Sequence, residues 1–354
     1  MEFGMYTFGD VGDSAPASAA RRLNELLAEA ELAEQAGLDV FGVGEHHRPD
    51  FAISAPAVVL GAVAARTQRI RLASAVSVLS SDDPVRLFQS FATLDLLSNG
   101  RAELMAGRGS FIESFPLFGY DLNDYESLFA SKLDLLLKLR AEERVSWSGR
   151  HRAALDNAGV YPRPLQAPLP VWIAAGGSPQ SFVRAGRLGL PLAVAIIGGA
   201  YEPFAHLIEL YREAAAEAGH DPAALPVSIN SPAYIAETSQ RAIDESYEPF
   251  MHVFTRIGRE RGWGPMTRAQ FLQMRAPKGG VAIGSPQEVT EKILRQHELF
   301  GHQRFVAQIG IGPMSHSGIM RSIELFGAEV IPAVRKELGL APAAPQGVPA
   351  GQPA

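Results

Sequence analysis

Short runs of β-branched or aromatic residues alternate along this chain with longer segments whose apolar positions recur every three to four residues. The first pattern reads as buried strand and the second as amphipathic helix. The first predicted strand is Phe3–Phe8, and the helix after it runs from about Ser18 to Ala36, where Gly37 ends it. The second strand is Val40–Val43, followed by a helix over Pro56–Arg66. The third is Ile70–Val78, and its helix starts at the cap Asp83 with Pro84 in the first position and stops at Asn99-Gly100. Ala102–Ala106 is the fourth strand; a non-repetitive stretch separates it from a helix over Tyr125–Leu139. The segment Val145–Pro170 is an excursion that ends rich in proline and glycine. Three further strands follow, Val171–Ala174, Leu192–Ile197 and Val227–Ala236, the first two with helices over Pro179–Arg187 and Pro203–Ala218. A polar and aromatic insertion over about Arg241–Lys278 precedes the helix Pro286–Phe300, and Phe305–Ile309 with Ile319–Leu338 forms the last unit.

Eight strands, each followed by a helix, is the count of an α/β protein built as a closed (β/α)8 TIM barrel. An open doubly wound sheet shares the local pattern, because periodicity does not report closure. The units average about 42 residues against about 31 in a typical barrel of this kind, and the surplus sits in insertions after strands four and seven. One domain over residues 1–340 is expected. The segment Ala341–Ala354, made of Ala, Pro, Gly, Gln and Val, reads as a disordered tail, since it holds too little apolar surface to offset chain entropy.

Composition narrows the function. The 38 acidic and 32 basic side chains leave a formal charge of −6, which speaks against a nucleic-acid partner. The absence of cysteine excludes disulfides, thiolate metal sites, iron–sulfur clusters and a cysteine nucleophile. No 18-residue apolar run occurs, and the opening MEFGMYTFGD lacks a basic stretch followed by an apolar one. A cytoplasmic protein without a membrane span is expected.

In a parallel barrel the chemistry belongs at the C-terminal strand ends. After strand two stands Glu45-His46-His47-Arg48. His46 is suited to act as a general base or hydrogen-bond donor near neutral pH, or one histidine simply caps a helix or pairs Glu45. Adjacent residues in an extended segment point to opposite sides, so at most one of the pair easily faces the barrel mouth. A metal reading lacks a third ligand at a recognisable spacing. After strand four comes Gly107-Arg108-Gly109-Ser110, an arginine fork between glycines suited to an oxyanion. After strand five comes Gly176-Gly177-Ser178-Pro179-Gln180-Ser181, a glycine-rich turn opening a helix. That turn is either an anion site at a helix N-terminus or only an efficient cap. Neighbouring strands would bring Arg108 and Gly177–Ser181 together on one phosphate. Ser74–Val78 offers small residues for a flat ring or for ordinary packing, Tyr6–Phe8 offers aromatic walls, and Gly310-Ile311-Gly312 offers ligand access or a turn. The insertion, with Trp263, Phe271 and Met274, reads equally as a lid over an apolar substrate and as an oligomer contact.

Together, Gly44-Glu45-His46-His47, the stretch Asp83-Pro84-Val85-Arg86 through Leu94 to Arg101, Gly107-Arg108-Gly109, Gly176-Gly177-Ser178 and Arg187-Leu188-Gly189-Leu190-Pro191 resemble the bacterial luciferase-like monooxygenases. The resemblance runs to about Leu338. It implies a (β/α)8 barrel that takes reduced FMN from a separate flavin reductase and uses oxygen to oxygenate a small organic substrate. It further implies that Arg108, Gly176, Gly177, Ser178 and Ser181 hold the flavin phosphate, that His46 lies beside the ring as an acid/base, and that Ala75–Val76 is a non-prolyl cis peptide under the ring. A homodimer through the second and third helices is implied as well. Two family features are missing: Gly107 stands where bacterial luciferases carry a reactive cysteine, and Gly177 replaces a carboxylate at the phosphate turn. A deazaflavin-dependent hydride-transfer enzyme shares this barrel and is the alternative. A flavin-binding protein without catalysis and a cofactor-free barrel hydrolase are further ones.

Overall fold

The computed structural model describes residues 1–109, 111–260, 262 and 264–341. Its strands are β1 (Glu2–Thr7), β2 (Val40–Val43), β3 (Arg71–Ser74), β4 (Ser77–Val78), β5 (Ala102–Gly107), β6 (Arg144–Gly149), β7 (Arg152–Gly159), β8 (Val171–Ala175), β9 (Leu192–Ala195), β10 (Val227–Ile235), β11 (Ala282–Gly284) and β12 (Arg304–Ile309). Its helices are α1 (Pro16–Gln35), α2 (Pro56–Ala64), α3 (Pro84–Leu97), α4 (Ser114–Leu117), α5 (Tyr125–Ala141), α6 (Pro179–Arg187), α7 (Phe204–Glu217), α8 (Ser239–Glu260), α9 (Arg268–Arg275), α10 (Pro286–Phe300), α11 (His316–Leu325) and α12 (Ile331–Glu337). Parallel ladders run β1–β2–β3–β5–β8–β9–β10–β12, and β12 pairs β1 again, so the sheet closes into an eight-stranded barrel. Closure buries both faces of the strands, which is why they read as continuous apolar runs.

Asp83 caps α3 as its sequence predicts, accepting from the amides of Val85 (2.9 Å) and Arg86 (3.1 Å), with Pro84 at the first position, where a missing N–H costs nothing. Three expectations need correction. The third strand is not continuous: the Ala75–Val76 peptide is cis and divides it into β3 and β4. The excursion folds into an antiparallel hairpin, β6–β7, fastened to the barrel by Trp147 donating to Asp134 on α5 (2.8 Å) and by Arg152 pairing Asp83 (2.7 Å). The last predicted helix breaks into α11 and α12 around a wide turn at Phe326–Val330, just before Pro332, which has no N–H for an ordinary helical bond.

The insertion after β10 forms α8 and α9 around a small core of its own. Phe271 is fully buried there against Phe250 (5.3 Å) and Tyr247 (5.2 Å). Lys292 on α10 ties this unit down by donating to the carbonyls of Arg275, Ala276, Gly279 and Val281 at 2.6–3.0 Å. Trp263 and Ser110, singled out in the sequence, lie outside the described residues, as does the predicted tail beyond Ala341.

At the N-terminal end of the barrel the interior is charged and paired. Glu103 on β5 is buried between Arg304, at 2.6 and 3.1 Å, and Arg71. Arg304 also donates to Glu2 (2.7 Å) and lies over the Trp172 ring (4.3 Å). No helix among the described residues is long and apolar enough to cross a membrane.

Candidate active site

The opposite end of the barrel opens into a cavity of about 350 Å³. The ends of β1, β2, β3, β5, β8, β9 and β10 all contribute walls, so groups far apart in sequence converge there: Tyr6, His46, Val76, Arg108, Ser178 and Asn230. A second hollow of about 570 Å³ lies under α8 and α9, walled by Met266, Met274, Phe254 and Lys278 among others. It is larger but brings no titratable cluster together, so the chemistry belongs to the barrel mouth. Met274 lines that second hollow, and Phe271 packs inside the insertion rather than over the barrel cavity.

His46 is the centre of an aromatic box. Its ring lies 4.4 Å from Phe8, 4.4 Å from Phe51 and 4.8 Å from Phe111. Arg48 lies over the outer face of Phe111 (4.8 Å) and Arg256, from α8, over Phe51 (5.6 Å). Burial, reinforced by the positive charges of Arg48, His47 and Arg256, pushes the imidazole pKa down to about 3, so His46 is neutral near pH 7. Its Nε2 is buried and has no hydrogen-bond partner within the protein, while Nδ1 stands 3.9 Å from Glu113. A buried, unpaired nitrogen on a cavity wall is costly unless a ligand meets it.

The two histidines differ in their partners, though both line the cavity. His47 bonds Glu45 (2.8 Å), and that hydrogen bond, ahead of burial, holds its pKa above the usual histidine value. The other oxygen of Glu45 accepts the Val78 amide (2.8 Å). Glu45 thus locks the end of β2 onto β4 just beyond the cis peptide. From the other side Ser74 accepts from the Met105 amide (3.0 Å). Ala75 and Val76 are held as a fixed patch of the cavity wall.

Arg108 and the turn after β8 share this cavity, as β5–β8 pairing requires. Gly176 and Ser178 lie on the wall, and Gly177 between them has φ +118°, a conformation costly for any other residue. A Cβ on Gly176 or Gly177 would meet only open space. Ser178 occupies the N-cap position of α6, yet its hydroxyl donates to Gln180 (2.9 Å) instead of capping the helix. Ser181 is buried behind the wall, its amide bonded to the Ser178 carbonyl (2.9 Å). Gly310 and Gly312 form a turn, with the Gly312 amide donating to Asp10 (2.8 Å), away from the cavity.

Sequence reading missed the partners of Arg108. Its guanidinium pairs Glu126 on the first turn of α5 and lies over Tyr125 (5.1 Å). The second oxygen of Glu126 takes Arg184 of α6 at 3.1 Å. Arg184 Nη1 is buried without a partner. Arg184 follows Ser181 by three residues, hence on the same helix face, and that spacing was the available signal. Phe51 and Glu113 carried no such signal, since loop closure places them.

The cavity wall therefore carries the Arg108 guanidinium and a glycine turn that opens a helix, which suit a phosphate. The same cavity has an aromatic surround about a neutral imidazole, which suits a planar ring. This chain is similar to known proteins along most of its length. It is 28% identical to protein y4vJ of Sinorhizobium fredii, over 91% of this chain and 94% of that one. It is 38% identical to the F420-dependent glucose-6-phosphate dehydrogenase of Beutenbergia cavernae, but this match covers only 47% of the chain and 50% of the relative. Among solved structures, monooxygenase RslO1 of Streptomyces bottropensis superposes with a TM-score of 0.80 at 27% identity, covering 94% of this chain and 99% of that one. A model of the luciferase-like monooxygenases matches residues 1–303, every strand end that builds the cavity included, and with the barrel closed around that cavity the chain belongs to this family.

Proposed function

We propose that the cavity binds FMN and that the protein is a monooxygenase which uses the reduced cofactor, delivered by a separate reductase, to oxygenate a small organic substrate. One observation carries this reading: Arg108, Gly176 and Ser178 of the turn, and His46 with its unpaired Nε2, line one and the same cavity. The phosphate would rest on Arg108 and the turn, and the ring on the Ala75–Val76 patch. When bound, the reduced flavin supplies the electrons and activates oxygen. The chain supplies the surroundings. Phe8, Phe51 and Phe111 exclude water, which strengthens each polar contact made inside. His46, being neutral, accepts a proton or donates a hydrogen bond at Nε2, and holds no imidazolium proton to release. Asn230, buried at the end of the cavity and held by the Val194 carbonyl (3.3 Å), offers a neutral amide to a substrate oxygen.

Full-length similarity to an enzyme described as a monooxygenase supports the oxygen-using reading. Deazaflavin-dependent hydride transfer is the second reading, favoured by the half-chain similarity to an F420-dependent dehydrogenase. Difference spectra of the purified protein with FMN and with F420, followed by oxygen uptake on reduction, separate the two. FMN binding with oxygen consumption is expected; binding of F420 alone, or no oxygen uptake, overturns the proposal. We also propose a homodimer through α2 and α3, whose outer faces expose Val58, Leu96 and Leu97, with light scattering as its test.

A further inference from the structure

Behind Arg108, outside the cavity lining itself, stands a negative charge. Glu126 places one carboxylate oxygen on Arg108 and the other on Arg184, bridging two cations that come from different βα units. Its side chain is 56% exposed on the first turn of α5, so it can rotate outward without disturbing the core. Neither arginine has that freedom. Arg108 is held between glycines against Tyr125, whose hydroxyl in turn donates to the Gly109 carbonyl (2.8 Å). Arg184, itself on the helix that the glycine turn opens, lies over Phe129 (5.3 Å), and its Nη1 is buried without a partner. Two fixed guanidiniums therefore face one movable carboxylate. A carboxylate satisfies one donor on each cation and leaves Nη1 unmet, whereas a phosphate monoester brings a third oxygen and about one more negative charge.

We propose that Arg184 is a second phosphate-binding guanidinium and that Glu126 is a stand-in anion, seated between the arginines until the cofactor phosphate displaces it. The proposal rests on the reading of the cavity at Arg108 as a phosphate seat. Glu126 keeps the two cations apart from each other's repulsion in the free protein, and it makes entry of the phosphate an exchange of one anion for another. Its removal leaves the cations uncompensated before binding and removes a like charge beside the bound phosphate. Both effects favour the phosphate, and neither touches a ligand that lacks one.

The test is a fluorescence titration of the wild-type chain, E126Q and R184Q with FMN and with riboflavin, which differ only by the phosphate. E126Q is expected to bind FMN about fivefold more tightly, the scale of two exposed ion pairs, with riboflavin affinity unmoved. R184Q is expected to weaken FMN about tenfold or more, again sparing riboflavin. Weaker or unchanged FMN binding by E126Q would mean that Glu126 orients the arginines rather than competing for them, and it would overturn the proposal. So would an unaltered FMN affinity in R184Q. Equal affinity of the wild-type chain for FMN and riboflavin is a different failure, because it removes the phosphate seat itself.

Discussion

The two ends of this barrel are lined by the same kinds of side chain and treat them in opposite ways. At the N-terminal end, Glu103, Arg304, Arg71 and Glu2 form a closed set in which each buried charge meets an opposite one. On the cavity wall at the C-terminal end, the buried His46 Nε2 and Ser114 hydroxyl have no partner within the protein. Elsewhere the neutral ring of His302 is unmet as well, but no charge of the paired set is. A fold does not leave such atoms unmet without cost. The difference separates charge that holds the barrel together from polarity held in reserve for a ligand.

The comparison breaks most sharply at Glu103. Its replacement by Leu leaves Arg304, which is 2% exposed, and Arg71 to share Glu2 as their one remaining carboxylate, and should cost about 3–5 kcal/mol in chemical denaturation. A loss below about 1 kcal/mol would mean that the paired end does not carry stability. At the other end, His46→Ala should lower substrate turnover about a hundredfold while flavin affinity changes only a few-fold. Unaltered turnover would remove His46 from the chemistry.

A smaller effect depends on pH. His302, fully buried near the paired end, and His46 in the cavity are both pushed by burial to a pKa of about 3. The unfolded chain takes up these protons near pH 6.5 and the folded one does not. Stability from each is therefore complete above pH 6.5 and falls by up to about 1.4 kcal/mol per pH unit as pH drops toward 3. Asp10 opposes this: burial raises its pKa to about 7, so its contribution weakens as pH rises from about 4 to 7. His302→Phe should flatten the acid limb in melts between pH 7.5 and 5, and an unchanged limb would place the sensitivity elsewhere.

Much of the fold can be read locally because local physics decides it. The bounds of β2, α6 and α10 follow from apolar runs, a proline at the first helical position and glycine stops. The Asp83 cap follows from hydrogen-bond chemistry within three residues. The hairpin β6–β7 and the short β11 escaped because their pairing is decided by what they dock against. At the site, the glycine turns and His46 were visible as residue types at strand ends. Arg184 was legible only through its spacing from Ser181 and its pairing with Glu126 not at all, because the two meet across 58 residues of sequence only once β5 and β8 are neighbours. The aromatic box was half visible: Phe8 and Phe111 stood at strand ends, whereas Phe51 reaches His46 only through the loop that pairs it with Asp10.

The account turns on which part of a ligand each region of the cavity grips, and Arg108→Ala measures that most directly. Titrated with FMN and riboflavin side by side, this variant should lose about tenfold to a hundredfold in FMN affinity and almost none for riboflavin. Equal weakening of both ligands would contradict the assignment of the Arg108 end to phosphate.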